Sequence, residues 1–152
     1  METTDYIPKG YAALTPMLAV RNAGMAIEWY KKNLNAKEET RFTDNNGVVA
    51  HAEMKFGDCN LMLAEENPEY NTSPQELNGT SVILNLYVPD VDNVVDLAVK
   101  DGAKIIFPVK DQLYGDRAGR IQDPFGHMWI IAKHIKDVTV QEMQQHMNEA
   151  GN

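Results

Sequence analysis

The sequence predicts an α+β protein made of two tandem modules, each with a strand, a helix and three further strands. Two observations support this prediction. A strand pattern followed by a helix pattern occurs twice, and the two strands end at Val20 and Val88, 68 residues apart. The apolar positions of the two following helices repeat with the same separation, which places the copies in register. Three shorter extended segments follow each helix, so both halves have the order β-α-β-β-β.

The first module is predicted over residues 11–64. Asn22 precedes apolar residues at helical spacing and is a suitable helix N-cap. Residues 44–47 end in Asn-Gly, a dipeptide typical of hairpin turns, and residues 57–58 mark a second turn. The predicted strands of this module are 12–20, 38–43, 48–56 and 59–64.

The second module is predicted over residues 80–135, after a linker at 65–79 that is rich in Asn, Pro, Glu and Ser and lacks periodicity. Asp90 is the expected N-cap of its helix, and the Asp-Pro-Phe-Gly sequence at 123–126 is a predicted turn. Thr139 and Glu142 form a capping box that opens a C-terminal helix at 139–149. The predicted strands of this module are 81–88, 104–109, 119–122 and 128–133.

Composition and charge exclude several classes of function. The chain has 152 residues, of which 43% are hydrophobic and 24% are charged, as in a folded globular protein. A formal net charge of −8 repels nucleic acids and anionic membrane surfaces, so neither partner is expected. The acidic N-terminus and short apolar runs predict no signal peptide and no membrane span. The single cysteine, Cys59, permits no internal disulfide, and we expect a cytoplasmic location.

Several segments resemble the vicinal oxygen chelate superfamily, which includes glyoxalase I, bleomycin and fosfomycin resistance proteins and extradiol dioxygenases. These segments are 7–11, 26–31, 51–53, 88–92, 115–117 and 123–129. Within the superfamily the chain looks most like the PhnB-like branch. The resemblance implies a single domain over residues 1–152, in which the sheets of the two modules curl around a shared cleft. It also implies a homodimer and a small-molecule ligand.

The resemblance also directs attention to a metal site. Enzymes of the superfamily hold a divalent metal with one residue from the first and one from the last strand of each module. These positions fall at Thr15, Met62, Ile83 and Ile130. Methionine and isoleucine do not replace imidazole and carboxylate as ligands, so we expect no metal and no other cofactor there. His51 and Glu53 are the only paired candidates for a displaced site, and they fall short of a usual ligand set.

Strand alternation identifies the residues expected to face the cleft. In the strand at 48–56 the core face should be Val48, Ala50, Ala52, Met54 and Phe56, which turns His51 and Glu53 toward the cleft. Alignment of the modules at Phe56 and Phe125 makes Arg120 and Gln122 their counterparts. The predicted catalytic pair is His51 and Glu53. The other predicted ligand-binding residues are Thr15, Met17, Met62, Asn85, Tyr87, Tyr114, Arg117 and Arg120.

Three functions remain open from the sequence. The first is a small-molecule binding protein without a metal, acting by sequestration or carriage as bleomycin resistance proteins do. The second is a lyase or isomerase in which His51 is a general base oriented by Glu53, and Arg117 or Arg120 stabilises an oxyanion. The third is a chain whose relevant property is dimerisation. The pair of His51 and Glu53 could equally be a hydrogen-bonded contact that holds the sheet.

Overall fold

The computed structural model describes residues 5–151, and these residues confirm the α+β class. Each half has the predicted strand and helix order, and the chain divides into two compact units between Gly79 and Thr80. Unit 1 contains β1 (Met17–Val20), α1 (Ala23–Asn33), β2 (Lys37–Thr43), β3 (Val49–Phe56), β4 (Cys59–Glu65) and α2 (Pro74–Leu77). Unit 2 contains β5 (Ile83–Tyr87), α3 (Val91–Lys100), β6 (Lys104–Asp111), β7 (Asp116–Gln122), β8 (Met128–His134) and α4 (Val140–Ala150).

Each unit has a four-stranded mixed sheet with the same topology. The strand orders are β1-β4-β3-β2 and β5-β8-β7-β6, and in each sheet the first pair is parallel and the other pairs are antiparallel. Met17 lies opposite Met62 in unit 1, and Asn85 lies opposite Ile130 in unit 2. Both members of the second pair are 68 residues beyond those of the first. The repeat is therefore confirmed at the level of strand register.

A helix covers one face of each sheet because its apolar stripe is buried there. Asn22 caps α1 by accepting the amide of Met25, and Asp90 caps α3 by accepting the amide of Asn93, as predicted. In unit 1 the buried side chains include Ile27, Tyr30, Met54 and Leu63, and in unit 2 they include Val91, Val95, Ile121 and Ile131. The alternate residues of the strands, such as Met62 and Ile130, are only half-buried and lie on the opposite faces.

A β-bulge corrects the predicted core face of β3. Phe42 pairs with His51, whereas the next residue of β2 pairs with Val49, so Ala50 is an additional residue in the ladder. The bulge reverses the alternation before it. As a result, Val49 is buried, while Val48 and Ala50 are exposed instead of forming core. The predicted core positions after the bulge, from Ala52 to Phe56, are correct.

Turn length corrects the predicted correspondence between the modules. Phe56 is paired at the end of a two-residue hairpin, whereas Phe125 lies inside the five-residue connection between β7 and β8. The two phenylalanines are therefore not equivalent, and the ladder gives a different alignment. Glu53 lies opposite Met62, and Arg120 lies opposite Ile130. The counterpart of Glu53 is thus Arg120, rather than Gln122.

Two strand starts differ from the prediction by three or more residues, and one helix was not predicted. β1 begins at Met17, five residues later than the predicted strand. β7 begins at Asp116, which places Asp116 and Arg117 in a strand and not in a loop. The predicted linker contains the short helix α2, capped by Ser73. The capping box of Thr139 and Glu142 is confirmed at the start of α4. No helix among the described residues has the length and apolar character needed to span a membrane.

Candidate functional site

Unit 1 has an open pocket of about 420 Å³ on the sheet face that α1 leaves uncovered. Its floor includes the cross-strand pair of Glu53 and Met62, and Tyr11 and Thr15 contribute to its wall. Apolar and weakly polar groups therefore surround one carboxylate. The sequence predicted Thr15, Glu53 and Met62 as site residues, and the structure brings these three together.

The Glu53 carboxylate is held by more than one donor. The hydroxyl of Tyr11 hydrogen-bonds to it, and Thr40 Oγ1 donates to Glu53 Oε2 at 3.1 Å. The Tyr11 contact is the largest cause of a lowered pKa at Glu53, and the same contact raises the pKa of Tyr11 to about 12. Glu53 consequently remains ionised and Tyr11 remains a donor at neutral pH. Tyr11 was missed as a candidate, although it lies in one of the segments that carry the resemblance.

His51 lies beside Glu53, as strand alternation predicted, but it is not among the residues that line the unit 1 pocket. Its Nε2 is 3.5 Å from Glu53 Oε1, and its ring stacks on Phe42 with centroids 6.4 Å apart. The nitrogen-to-oxygen distance is long for a hydrogen bond, and Glu53 has closer contact with Thr40. The arrangement fits a general base with a carboxylate neighbour and also fits a polar pair that supports the sheet.

Unit 2 has a smaller pocket of about 260 Å³ on the corresponding sheet face. The cross-strand pair of Arg120 and Ile130 lies in it, with Phe107, Lys110 and Tyr114 around them. The guanidinium carbon of Arg120 lies 5.0 Å from the centre of the Phe107 ring. Burial, followed by the Asp116 carboxylate, raises the pKa of Tyr114, so its hydroxyl stays protonated. Tyr114 and Arg120 were predicted, whereas Phe107 and Lys110 were not.

The remaining predicted residues have different positions. Met17, Asn85 and Tyr87 are exposed residues of the first strands of the two sheets. Arg117 is not in the pocket with Arg120, because it lies three positions earlier along β7 and side chains alternate between the two faces of the sheet. Arg117 instead donates to Asp92 of α3 and to Asp111. Its guanidinium is thereby occupied on the helix side of the sheet, and a role in ligand binding stays a prediction.

A second polar cluster in unit 2 was not predicted. His134 Nδ1 is 2.8 Å from Asp116 Oδ1, and its Nε2 is 2.7 Å from Asp137 Oδ1. The Tyr87 hydroxyl donates to the other oxygen of Asp116 at 3.2 Å. The imidazole thus lies between two carboxylates and connects β7 to the segment that precedes α4. The sequence offers one signal for this cluster, the three-residue spacing of His134 and Asp137.

We predict that His134 makes stability depend on pH. The carboxylates of Asp137 and Asp116 raise the pKa of His134 above its ordinary value of 6.5. Folding then favours the imidazolium, and this contribution is fully present below the unfolded-state pKa and is lost as pH rises through the folded-state pKa. In thermal unfolding, the Tm difference between wild type and His134→Gln should be larger at about pH 5.5 than at about pH 9. Equal differences at the two pH values would contradict the prediction.

The four superfamily metal positions do not fit a divalent metal in this chain. Thr15 and Met62 offer a hydroxyl and a thioether, and Ile83 and Ile130 offer hydrocarbon. Such a set contains no imidazole or carboxylate, the usual ligands of these metals. Within residues 5–151, no group of three or more His, Cys, Asp and Glu side chains could hold a metal ion. The four positions therefore lack the donor set that the superfamily's metal needs.

Comparison with known proteins gives consistent matches. The model of the Glyoxalase/Bleomycin resistance protein/Dioxygenase superfamily matches residues 12–131. An uncharacterised protein of Mycobacterium bovis is 35% identical over 143 residues, covering 91% of this chain and 94% of the relative. An uncharacterised protein of Mycobacterium tuberculosis is also 35% identical over 143 residues, covering 91% of this chain and 84% of the relative.

Solved structures show the same fold at lower identity. TioX from Micromonospora sp. ML1 has a TM-score of 0.63 at 23% identity, covering 82% of this chain and 99% of TioX. The fosfomycin resistance protein FosX from Listeria monocytogenes, in complex with Mn(II) and sulfate, has a TM-score of 0.62 at 15% identity. That comparison covers 90% of this chain and 97% of FosX. Two sheets of equal topology, a repeat in register and a family match over most of its length together show that this chain belongs to the glyoxalase/bleomycin resistance protein/dioxygenase superfamily.

Proposed function

We propose that this protein binds a small organic molecule through its sheet-face pockets, without the superfamily's usual metal, and that it belongs to the PhnB-like branch. One observation supports the proposal above the others. The two pockets are built on equivalent cross-strand pairs, Glu53 with Met62 in unit 1 and Arg120 with Ile130 in unit 2. The same two positions in both modules therefore combine one charged group with one apolar group.

The chemistry of the pockets supports a ligand of low molecular weight. Both combine apolar walls with a few polar groups, which is the usual composition of small-molecule sites. The volumes, about 420 Å³ in unit 1 and about 260 Å³ in unit 2, suit compact ligands. Sequestration or carriage of a ligand leaves it chemically unchanged, so these functions require no catalytic group in addition to the residues that bind it.

The alternative function is a lyase or isomerase, and the proximity of His51 to Glu53 favours it. A histidine 3.5 Å from an ionised carboxylate is a reasonable general base. The anchoring of Glu53 by Tyr11 and Thr40 would fix the orientation of the pair. In this case, a molecule bound in the unit 1 pocket would be converted to a product, and replacement of His51 would abolish the conversion.

A homodimer and a cytoplasmic location complete the proposal. Two large apolar side chains of β6 outside the unit 2 pocket, Ile105 and Ile106, are exposed in the single chain. β6 is an edge strand of its sheet, and apolar side chains exposed on an edge strand are typical of protein interfaces. A second copy of the chain is the partner that the superfamily resemblance implies. Light scattering of the purified protein at the concentrations used for ligand binding reports this state directly.

The function is tested by a fragment screen on protein treated with EDTA. Thermal shift identifies binders, and amide chemical shifts in NMR spectra locate them. We expect binders to perturb residues of the two pockets. For a binder in the unit 1 pocket, His51→Ala should weaken affinity by about 1–3 kcal/mol, the range for loss of a polar group that contacts the ligand beside Glu53. The Tm should change little, since the core face of β3 is untouched.

His146→Ala, on α4 and outside both pockets, is the matched control and should leave affinity unchanged. Equal affinities for wild type and His51→Ala, together with a large loss of Tm in the variant, would show that the pair is structural. Shift changes confined to surfaces outside the pockets would contradict the proposed function. A product signal that appears with wild type and not with His51→Ala would favour the enzyme.

A further inference from the structure

We propose that the unit 2 pocket recognises an anionic group on the ligand, with Arg120 as its principal contact and Lys110 and Tyr114 beside it. This inference rests on the proposed small-molecule binding and names the class of ligand. The class is a compact organic anion, a carboxylate or a phosphoryl compound, with an apolar or aromatic body. Neither the fold nor the family match indicates a charge on the ligand.

The first support is the pairing of the arginines. The chain has four arginines, and three of them each contact two carboxylates. The pairs are Arg21 with Glu66 and Glu76, Arg41 with Glu28 and Glu38, and Arg117 with Asp92 and Asp111. Arg120 is the exception, since no carboxylate within residues 5–151 forms an ion pair with it. In a protein with a net charge of −8, an arginine without an acidic neighbour is unexpected.

The second support is the state of the Arg120 donors. The Nε atom of Arg120 is buried and has no hydrogen-bond partner, the one such side-chain atom in the described part of the chain. Its contact with Phe107 is made through the face of the ring, at 5.0 Å from the centroid. A cation–π contact positions the guanidinium without using its N–H groups. The protein therefore holds the guanidinium of Arg120 in place while leaving its N–H groups available to a ligand.

The third support is the charge of the pocket wall. Lys110 also lines the pocket, whereas none of the described residues that line it is acidic. Asp116, close to Tyr114, is already engaged by the Tyr87 hydroxyl and by His134 Nδ1. The pocket therefore combines two cations and a protonated phenol in a chain of opposite net charge. Such a combination favours anionic ligands and disfavours cationic ones.

The remaining wall defines the body of the ligand. Phe107, Pro108 and Ile130 supply apolar surface next to the guanidinium. Carboxylates and phosphoryl groups both accept two hydrogen bonds from a guanidinium, so either group matches the donors of Arg120. The volume of about 260 Å³ suits a ligand of roughly the size of a substituted benzene.

The test is an NMR titration with three probes of similar size: benzoate, phenylphosphonate and benzamide. At least one of the two anions should shift the amides of Phe107, Arg120 and Ile130. The neutral benzamide should bind at least about tenfold more weakly, because it lacks the charge-assisted hydrogen bonds. The stronger of the two anions distinguishes a carboxylate ligand from a phosphoryl ligand, and either preference supports the proposal.

Two variants of the unit 2 pocket and one control variant outside it distinguish the effect of the pocket cations from the effect of the protein's net charge. Arg120→Gln should lower the affinity of the preferred anion by roughly 10- to 100-fold, the range for loss of a charge-assisted hydrogen bond. Lys110→Gln, at an exposed position, should lower it by a smaller factor and keeps the test valid if Arg120→Gln does not fold. Arg41→Gln makes the same change in net charge in unit 1, where Arg41 is paired with Glu28 and Glu38, and should have no effect.

Benzamide binding in this pocket as tightly as the anions would overturn the anion proposal and leave small-molecule binding intact. Anion binding that is equally strong in wild type, Arg120→Gln and Lys110→Gln would also overturn it. Absence of any binder for either pocket in the fragment screen would instead contradict the proposed function itself. The failure of the inference and the failure of the function are thereby distinguishable.

Discussion

Asp123→Ala is expected to lower the free energy of unfolding by roughly 3–5 kcal/mol, because several buried donors lose their acceptor at once. The Asp123 carboxylate is buried in the turn between β7 and β8. Its Oδ1 accepts the amides of Phe125 and His127 at 2.9 and 3.0 Å, and its Oδ2 accepts the Trp129 indole N–H at 2.9 Å. Alanine leaves these donors without the carboxylate and without access to water.

Urea unfolding of purified variants measures this effect. Asp123→Asn should be less damaging than Asp123→Ala, since one side-chain oxygen remains an acceptor for the two amides. Asp58→Ala changes the exposed aspartate of the hairpin between β3 and β4. This control should lower the free energy of unfolding by no more than about 0.5 kcal/mol. Similar losses for Asp123→Ala and Asp58→Ala would show that the Asp123 hydrogen bonds contribute little to stability.

Gly115→Ala is expected to cost roughly 3 kcal/mol of stability, from backbone strain and a collision with main-chain atoms. Gly115 has a φ of 98°, which an L-residue with a side chain rarely adopts. An added Cβ would lie 2.0 Å from the carbonyl oxygen of Lys136. The segment carrying that oxygen is held in place, since the amides of Ile135 and Lys136 both donate to Gly115 O. The chain leading to α4 must therefore move.

Gly47→Ala is a control that introduces backbone strain without a steric collision. Gly47 has a φ of 78°, and nothing lies within 4 Å of an added Cβ. Its replacement should cost only the strain, about 1 kcal/mol. Thermal unfolding of both variants at one pH gives the comparison. If Gly115→Ala and Gly47→Ala lower stability equally, the segment after β8 can move away from an added Cβ without an energetic penalty. The packing of this segment on Gly115 would then contribute little to stability.

Local signals in the sequence account for the elements that were predicted correctly. Asn22, Asp90 and Thr139 are found as helix N-caps, because a capping side chain bonds only to amides two or three residues away. The hairpin at 44–47 depends likewise on the positive φ of Gly47. Such contacts depend on adjacent residues and not on the rest of the fold, so they can be recognised in the chain itself.

The candidate site was predicted in part, and the limits have physical causes. Alternation along β3 correctly brings His51 and Glu53 to one face, because both follow the bulge. The same rule fails for Val48 and Ala50, which precede it. A bulge leaves no clear local signature, since it depends on how two strands distant in sequence come into register. The Arg120 cation–π contact with Phe107 depends on such a register as well.

The sequence by itself determined the duplicated β-α-β-β-β order, the starts of three helices and the turns, because periodicity, capping and turn chemistry are local and the 68-residue repeat is visible in the chain. The superfamily was indicated separately, by the resemblance of short segments to its members. Only the tertiary structure decided which side chains meet. It makes Arg120 the counterpart of Glu53, turns Arg117 toward α3, and connects His134 to Asp116. These outcomes depend on strand register, and register is set by connection lengths and bulges that join residues far apart in sequence.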